Sequence, residues 1–196
     1  MNLMDTLKYY GRGVVLPVNE MKALIEQDLC NRDVKTIVDF GSGTLFWSQY
    51  FADDLGFRVL AVDNRYLSAM PYNDSPNIVL NTDILDVLAN LKKEENNAIF
   101  ICDVIHHLPP ELWQTILPQL AVLFDVIIIK DIDATCKVGN FLNKMHDRII
   151  NGEKIENVYP ETIMEHLADK GLNLTRKALP KLWYPHFFII ATKGQV

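Results

Sequence analysis

The sequence predicts an α/β fold: a doubly wound, mostly parallel sheet of seven strands with an N-terminal helical appendage. Short runs rich in valine and isoleucine alternate with helix-length segments, an order typical of sheets covered by helices on both faces. The runs at 35–40, 58–63, 77–80, 98–103 and 125–130 lack alternating polarity. Such strands are buried on both faces, as in parallel sheets.

The elements follow one another in a simple order. A helical stretch at 19–30 lies in the appendage, residues 1–34. The predicted strands are 35–40, 58–63, 77–80, 98–103, 125–130, 173–179 and 186–193. The predicted helices between them are 46–56, 65–70, 84–93, 110–124, 138–150 and 160–171. The last two strands are expected to form a hairpin with a long connection, which closes the sheet.

Glycine and proline mark the helix ends. Gly56 and Gly171 are expected to stop the helices that precede them, because glycine adopts the conformation that ends a helix. Pro110 and Pro160 fit the first turn of a helix, where no backbone N–H is needed. Pro118 lies within a predicted helix and is expected to bend or interrupt it.

The composition of the chain disfavours several classes of protein. A chain of 196 residues predicts one domain, and its net charge of −6 disfavours a broad nucleic-acid interface. The three cysteines are odd in number and widely spaced, so they predict neither a disulfide framework nor a cysteine metal site. The N-terminus lacks the apolar core of a signal peptide, and no run reaches transmembrane length. We therefore expect a cytoplasmic protein.

The end of the first predicted strand carries a ligand-binding signal. Asp39, Gly41 and Gly43 fall at the first strand–helix turn, where glycine permits a tight turn and lets a ligand approach the backbone. In doubly wound sheets, ligands bind at the carboxyl ends of the strands. Asp63 ends the second predicted strand and is placed to accept hydrogen bonds from both hydroxyls of a ribose.

Two ligand classes fit this pattern. A dinucleotide turn needs a third glycine for close packing and a helix N-terminus for the pyrophosphate, but Phe46 occupies that position. S-adenosylmethionine carries no phosphate, and Asp39 is placed to attract its ammonium group directly or through water. The sequence therefore favours S-adenosylmethionine over a dinucleotide.

Residues 35–196 resemble the class I S-adenosylmethionine-dependent methyltransferases. The family's first motif, an acid followed by three alternating glycines, matches residues 39–43, with Leu45 in place of the third glycine. The segments "AVDNR", "NTDILD" and "FICDVIHHLPP" match later motifs in the correct order. The resemblance implies that S-adenosylmethionine is held by Asp39, Gly41, Ser42, Gly43, Asp63, Asn64, Asp83, Ile84 and Asp103.

The same resemblance assigns positions around the cofactor. Asn64 is expected beside the adenine, and Asp83 with Ile84 at its edge, while Asp103 belongs to the motif beside the reacting methyl. Asp83 also fits the N-cap of the helix that follows it, and it could serve both purposes.

A proton acceptor is expected on the methyl-acceptor side. Histidine titrates in the right range for such a base, and the family often has a histidine at the second place of "HHLP". His107 is therefore the predicted catalytic residue, with a structural brace as the alternative. Alternation along a strand is expected to turn His106 away. In relatives that act on phosphoethanolamine, an N-terminal tyrosine pairs with this histidine. Tyr9 or Tyr10 could occupy the place of that tyrosine.

Other acceptor-side candidates come from the last third of the chain. The resemblance to small bacterial-type relatives singles out His146, Asp147 and Arg148, with helix-surface groups as the alternative. Tyr184 and His186 lie near the last strand pair.

A metal-assisted reaction is the less favoured alternative. Metal-dependent catechol-type relatives place acids at the ends of the fourth and fifth strands. Asp103 and Asp131 fit that placement, and Asp133 is nearby. Ile132 occupies the position of their asparagine ligand, so we expect no metal.

These observations predict a single domain that methylates an oxygen or nitrogen atom of a small molecule. Residues 1–34 would form a helical cap, 35–130 the cofactor-binding half and 131–196 the acceptor-side half. Two alternatives remain open. One is a non-catalytic protein of this fold that binds the cofactor or a protein partner. The other is a methyltransferase that acts on nucleic acid or on protein. The pI of about 5.3 disfavours a nucleic-acid substrate.

Overall fold

The computed structural model describes residues 17–64, 75–91, 96–152, 155–179 and 185–194. The predicted helix at 65–70 lies outside these residues, as do Tyr9, Tyr10 and Tyr184. Within them, seven strands form one mixed sheet in the order β3-β2-β1-β4-β5-β7-β6. The strands are β1 Thr36–Phe40, β2 Arg58–Val62, β3 Ile78–Asn81, β4 Asn97–Cys102, β5 Val126–Ile132, β6 Leu172–Leu179 and β7 His186–Lys193.

The predicted sheet is confirmed. β1 pairs parallel with β2, and β2 with β3, whereas β7 runs antiparallel to both β5 and β6. All seven residues of β5 are buried, as expected for an apolar run within a sheet. One expectation about burial was wrong. β3 is an edge strand, and Val79 and Leu80 are exposed on it.

Six α-helices occur in the described residues: α1 Val18–Leu29, α2 Phe46–Gln49, α3 Ile84–Asn90, α4 Pro110–Leu123, α5 Lys137–His146 and α6 Pro160–Ala168. Wider π-type turns extend α2 over Tyr50–Asp54 and α5 over Asp147–Asn151. Pro110 and Pro160 begin their helices as predicted, and Gly56 and Gly171 take the positive φ values that follow helix ends. α4 runs through Pro118 as one helix, so Pro118 does not interrupt it, and the bend at Pro118 stays a prediction.

The chain divides into two compact units, residues 1–100 and 101–196. In the first unit, Trp47, Phe51 and Phe100 form an aromatic cluster, with ring centroids 5.2 Å apart for Trp47–Phe100 and 5.1 Å for Phe51–Phe100. α1 buries Met21, Ile25 and Leu29, and its Glu26 accepts a 2.6 Å hydrogen bond from Tyr50.

The second unit is built around β5 and β7, which are almost wholly buried. α4 contributes Trp113, Leu117 and Leu120 to its apolar interior. A buried amide network joins α5 to the loop before α6. Asn143 donates to Asn157 at 3.1 Å, and Asn157 donates to Asn140 at 3.0 Å. This network holds α5 against the loop that contains Asn157.

Candidate functional site

The loop after β1 has a shape that the sequence only partly indicates. Gly41, Gly43 and Leu45 all have positive φ values, of 78°, 50° and 61°. Leu45 therefore adopts the left-handed conformation that a third glycine would supply, and its fully buried side chain helps to hold it there. The motif's third glycine is thus replaced by Leu45, but every second residue from 41 to 45 still has the left-handed conformation.

Hydrogen bonds tie this loop to the end of β2. The N–H groups of Gly41 and Ser42 donate to the carbonyl of Val62 at 2.8 and 3.2 Å. The N–H of Gly43 donates to the Asp63 carboxylate at 2.9 Å. Asp63 therefore fixes the loop through Gly43, and its carboxylate has lone pairs for further donors.

The acid that opens the motif is buried. Asp39 is 2% exposed and accepts a 2.5 Å hydrogen bond from the Ser48 hydroxyl. Two buried hydroxyls lie close by in sequence, at Ser42 and Thr44, and neither has a hydrogen-bond partner in the described part of the chain. Because a buried polar group without a partner is costly, such groups indicate a place where a ligand or water completes the bonding.

The remaining residues predicted for the first unit lie on its surface. Asn64 and Asp83 are exposed, and Ile84 is half-buried. Asp83 caps α3, accepting a hydrogen bond from Leu85 N–H at 2.8 Å. The N-cap role is thus present, and an exposed carboxylate retains lone pairs for another donor.

The second unit holds a cluster of charged groups beside the end of β4. Lys130 is fully buried on β5, and its ammonium lies 2.5 Å from the carboxylate of Asp103. Asp103 is half-buried and has a φ of 57°. Burial disfavours its charged form. The charge of Lys130, helped by His186 and His106, outweighs this and holds the pKa of Asp103 below its ordinary value.

The two predicted histidines lie on a 3-10 turn, Ile105–His107, directly after β4. Strand alternation therefore does not apply to them, and the expectation that they point to opposite sides was wrong. Their ring centroids are 4.1 Å apart. His106 is buried and His107 is half-buried.

His106 forms an ion pair with a fully buried acid. Its Nδ1 lies 2.5 Å from Asp131 Oδ1, and its backbone N–H donates to Asp131 Oδ2 at 3.3 Å. Burial opposes a charged imidazole, but the charge and hydrogen bond of Asp131 outweigh it and raise the pKa of His106 above 6.5. Asp131 therefore fixes both the ring and the backbone of His106.

Comparison with known proteins identifies the fold. No protein-family model and no curated protein matches the sequence. A SAM dependent methyltransferase from Archaeoglobus fulgidus has a TM-score of 0.69 at 16% identity, over 94% of this chain and 98% of that one. The magnesium protoporphyrin IX methyltransferase of Synechocystis PCC 6803, solved with S-adenosylhomocysteine, gives 0.64 at 19% identity over 99% and 89%.

The chain has the methyltransferase fold. A third structure agrees, the 1,6-didemethyltoxoflavin-N1-methyltransferase of Burkholderia thailandensis. Its TM-score is 0.61 at 15% identity, over 88% of this chain and 76% of that chain. At these identities the likeness concerns the fold, which confirms the architecture predicted from sequence.

The acids at the ends of β4 and β5, which were compared with the metal ligands of catechol-type relatives, bond other groups of this chain. Asp103 bonds Lys130, and Asp131 bonds His106. Asp133 accepts hydrogen bonds from Thr135 at 2.6 and 2.9 Å and from Arg176 at 3.0 Å. Ile132 is buried between the last two of these acids. The three acids therefore serve protein contacts in this structure.

The other acceptor-side candidates differ in exposure. Asp147 is buried, at 5% exposure, at the start of the turn after α5, whereas Arg148 is exposed. His146 is the last residue of α5. His186 begins β7 and is buried, at 1% exposure. No helix in the described residues is long and apolar enough to cross a bilayer.

Sequence reasoning missed Lys130. The sequence did contain an indication of a buried ion pair, because a lysine within a buried apolar run requires a charged partner. The identity of that partner depends on the turn after β4, which periodicity does not predict.

Proposed function

We propose that this protein transfers a methyl group from S-adenosylmethionine to an oxygen or nitrogen atom of a small molecule. The observation that carries the proposal is the loop of residues 39–45, with its three left-handed residues and its bond from Gly43 to Asp63. The fold is consistent with this assignment, and so are the motifs that resemble class I methyltransferases.

The residues present fit the cofactor. Ser42 and Thr44 offer buried hydroxyls that lack partners within the described residues, next to backbone shaped by Gly41 and Gly43. These are suitable donors for the carboxylate of an amino-acid group. The unpartnered hydroxyls would gain their missing hydrogen bonds when the cofactor binds.

Each acid in the first unit has a distinct proposed role. Asp63 is half-buried and accepts the ribose hydroxyls while holding Gly43. Asp39 has little accessible surface, so it acts on the cofactor's ammonium group through its charge and through a bridging water. Asn64, Asp83 and Ile84 border the adenine from the surface.

The chemistry demands little of the protein beyond alignment. The bound sulfonium supplies an activated methyl group, and the protein holds the acceptor in line and excludes water. A hydroxyl or protonated amine must also lose its proton. We place this step at His107, which is the more exposed of the two adjacent histidines. The net charge of −6 favours a small-molecule acceptor over nucleic acid.

Methyl release from labelled cofactor tests the proposal. Purified protein is incubated with S-adenosylmethionine carrying a deuterated methyl group and with fractions of a small-molecule extract, and products are followed by mass spectrometry. We expect a product heavier by one labelled methyl, with formation of S-adenosylhomocysteine. A variant with Gly43→Val serves as the control, because a branched side chain is strained at a φ of 50°. Cofactor bound without turnover on any fraction would favour the non-catalytic alternative.

A further inference from the structure

Three side chains in the second unit converge on one point. His106, His107 and Asp147 each offer one ligand atom, and these atoms all lie within 4.8 Å of one another. His106 and Asp147 are buried, and His107 is half-buried. Asp147 comes from the π-type turn after α5, some 40 residues from the histidines, and such turns are frequent at functional sites.

We propose that His106, His107 and Asp147 bind one divalent transition-metal ion, with Zn²⁺ as the best match. Two imidazole nitrogens and one carboxylate oxygen are ligands that Zn²⁺ accepts in three-residue sites, which leave a fourth position for water or substrate. Mg²⁺ favours sets made of oxygen atoms alone. The proposal concerns binding, and it does not depend on the proposed methyl transfer.

The orientation of His106 supports this site. Its Nδ1 lies 2.5 Å from Asp131, so we assign Nε2 to the ion. Histidine ligands commonly donate their other ring N–H to a carboxylate, which fixes the tautomer and the ring. Asp131 is fully buried and also accepts hydrogen bonds from two backbone N–H groups, at His106 and Ile132. It therefore fixes the ring of His106, as the carboxylate partner of a histidine ligand commonly does.

A second group of possible ligands shares His106 but suits a cation poorly. Asp103, His106 and Asp131 also lie within 4.8 Å of one another. However, the Lys130 ammonium lies 2.5 Å from Asp103 and would repel a cation there. The nitrogen of His106 that faces Asp131 is also already bonded. The ion is therefore assigned to the side of His107 and Asp147.

This inference revises the expectation that no metal is needed. That expectation considered only the acids after β4 and β5, whereas the new site uses two histidines and an acid from a later turn. Ligation and proton acceptance use the same imidazole lone pair, so His107 acts as a base only in the ion-free protein. In the loaded protein the ion itself would acidify a bound hydroxyl.

Calorimetry on untagged, chelator-treated protein tests the site. ZnCl₂ is titrated into the Cys30→Ser form, because Cys30 is an exposed free thiol that could bind zinc on its own. We expect one equivalent to bind. His107→Ala and Asp147→Asn should each abolish this binding, whereas His166→Ala, outside the cluster, should leave it unchanged. Asp131→Asn should weaken the affinity by roughly 10- to 100-fold, as expected for a group that orients a ligand.

Circular dichroism separates lost binding from lost folding. Asp147→Asn keeps the size of the side chain, so this variant still tests the site if His107→Ala fails to fold. Visible absorption of bound Co²⁺ gives a second measurement, because tetrahedral Co²⁺ with nitrogen ligands absorbs much more strongly than octahedral hydrated Co²⁺. Binding of equal strength in the parent form and in a folded Asp147→Asn variant would overturn the assignment. Absence of zinc binding in the parent form would overturn it as well.

Discussion

The loop of residues 39–45 and the charged cluster of the second unit are built in different ways. The residues of the loop are neighbours in sequence, and Val62 and Asp63 at the end of β2 hold them in place. Two buried hydroxyls of the loop, on Ser42 and Thr44, lack partners within the described residues. In the cluster, the ion pairs Lys130–Asp103 and His106–Asp131 join residues 27 and 25 positions apart. The loop therefore leaves buried hydroxyls available for further hydrogen bonds, whereas in each ion pair the two side chains neutralise each other's charge.

This difference explains what the sequence can predict. The loop was predicted because its glycines and acids recur at short spacing after a buried strand. The strands were predicted because their apolar runs are continuous. The cluster was not predicted, because its contacts depend on how β4, β5 and the turn at His106 meet, and long-range pairing has no local signal.

Smaller differences have the same cause. Val79 and Leu80 were expected to be buried, but β3 is at the sheet edge, and position within a sheet is not encoded in a four-residue run. The two histidines were placed on a strand, although the chain leaves β4 at Asp103, whose φ is positive. The chain then enters the 3-10 turn that carries both histidines.

The largest expected effect concerns turnover at His107. In ion-free protein with a proven acceptor, His107→Ala should lower the turnover rate by about 10²- to 10⁴-fold, since a positioned base contributes that much. Cofactor affinity should stay nearly intact. His166→Ala is the control. If the melting temperature falls sharply while turnover per folded molecule is unchanged, His107 is a structural brace and His146 is tested next.

The next effect concerns stability. Asp103→Asn keeps a residue that tolerates positive φ but leaves the fully buried Lys130 without a charged partner. We expect the free energy of unfolding to fall by about 3 kcal/mol in urea denaturation. Adding Lys130→Met should recover most of it.

A surface pair provides the matched control for that experiment. Lys193 and Asp125 lie 3.1 Å apart and are both about one-third exposed. Asp125→Asn should change stability by less than about 1 kcal/mol. Equal losses in Asp125→Asn and Asp103→Asn would show that burial does not distinguish the two pairs.

A third prediction concerns the loop. Asp63→Ala removes the acceptor for Gly43 and for two ribose hydroxyls, so cofactor affinity should fall by roughly 10- to 100-fold, equivalent to about 1.5–3 kcal/mol. Asp63→Asn keeps one acceptor oxygen, so its cofactor affinity should lie between those of the wild type and Asp63→Ala. Unchanged affinity in Asp63→Ala would remove Asp63 from the site.

The smallest effect is a pH dependence of the cluster. Because the folded pKa of His106 is raised above 6.5, the pair with Asp131 contributes its full stability below about 6.5 and loses it as the pH rises through the folded pKa. The stability advantage of the wild type over His106→Gln should therefore decrease as the pH rises from 6.5. An advantage that grows with pH would contradict the ion pair.

Calorimetry with the unmodified chain tests the central claim most directly. The protein is titrated in turn with S-adenosylmethionine, S-adenosylhomocysteine and NAD. The account predicts saturable binding of both adenosyl ligands and no binding of NAD, because Phe46 stands where a pyrophosphate turn needs glycine. Tight NAD binding, with no heat from either adenosyl ligand, would contradict it.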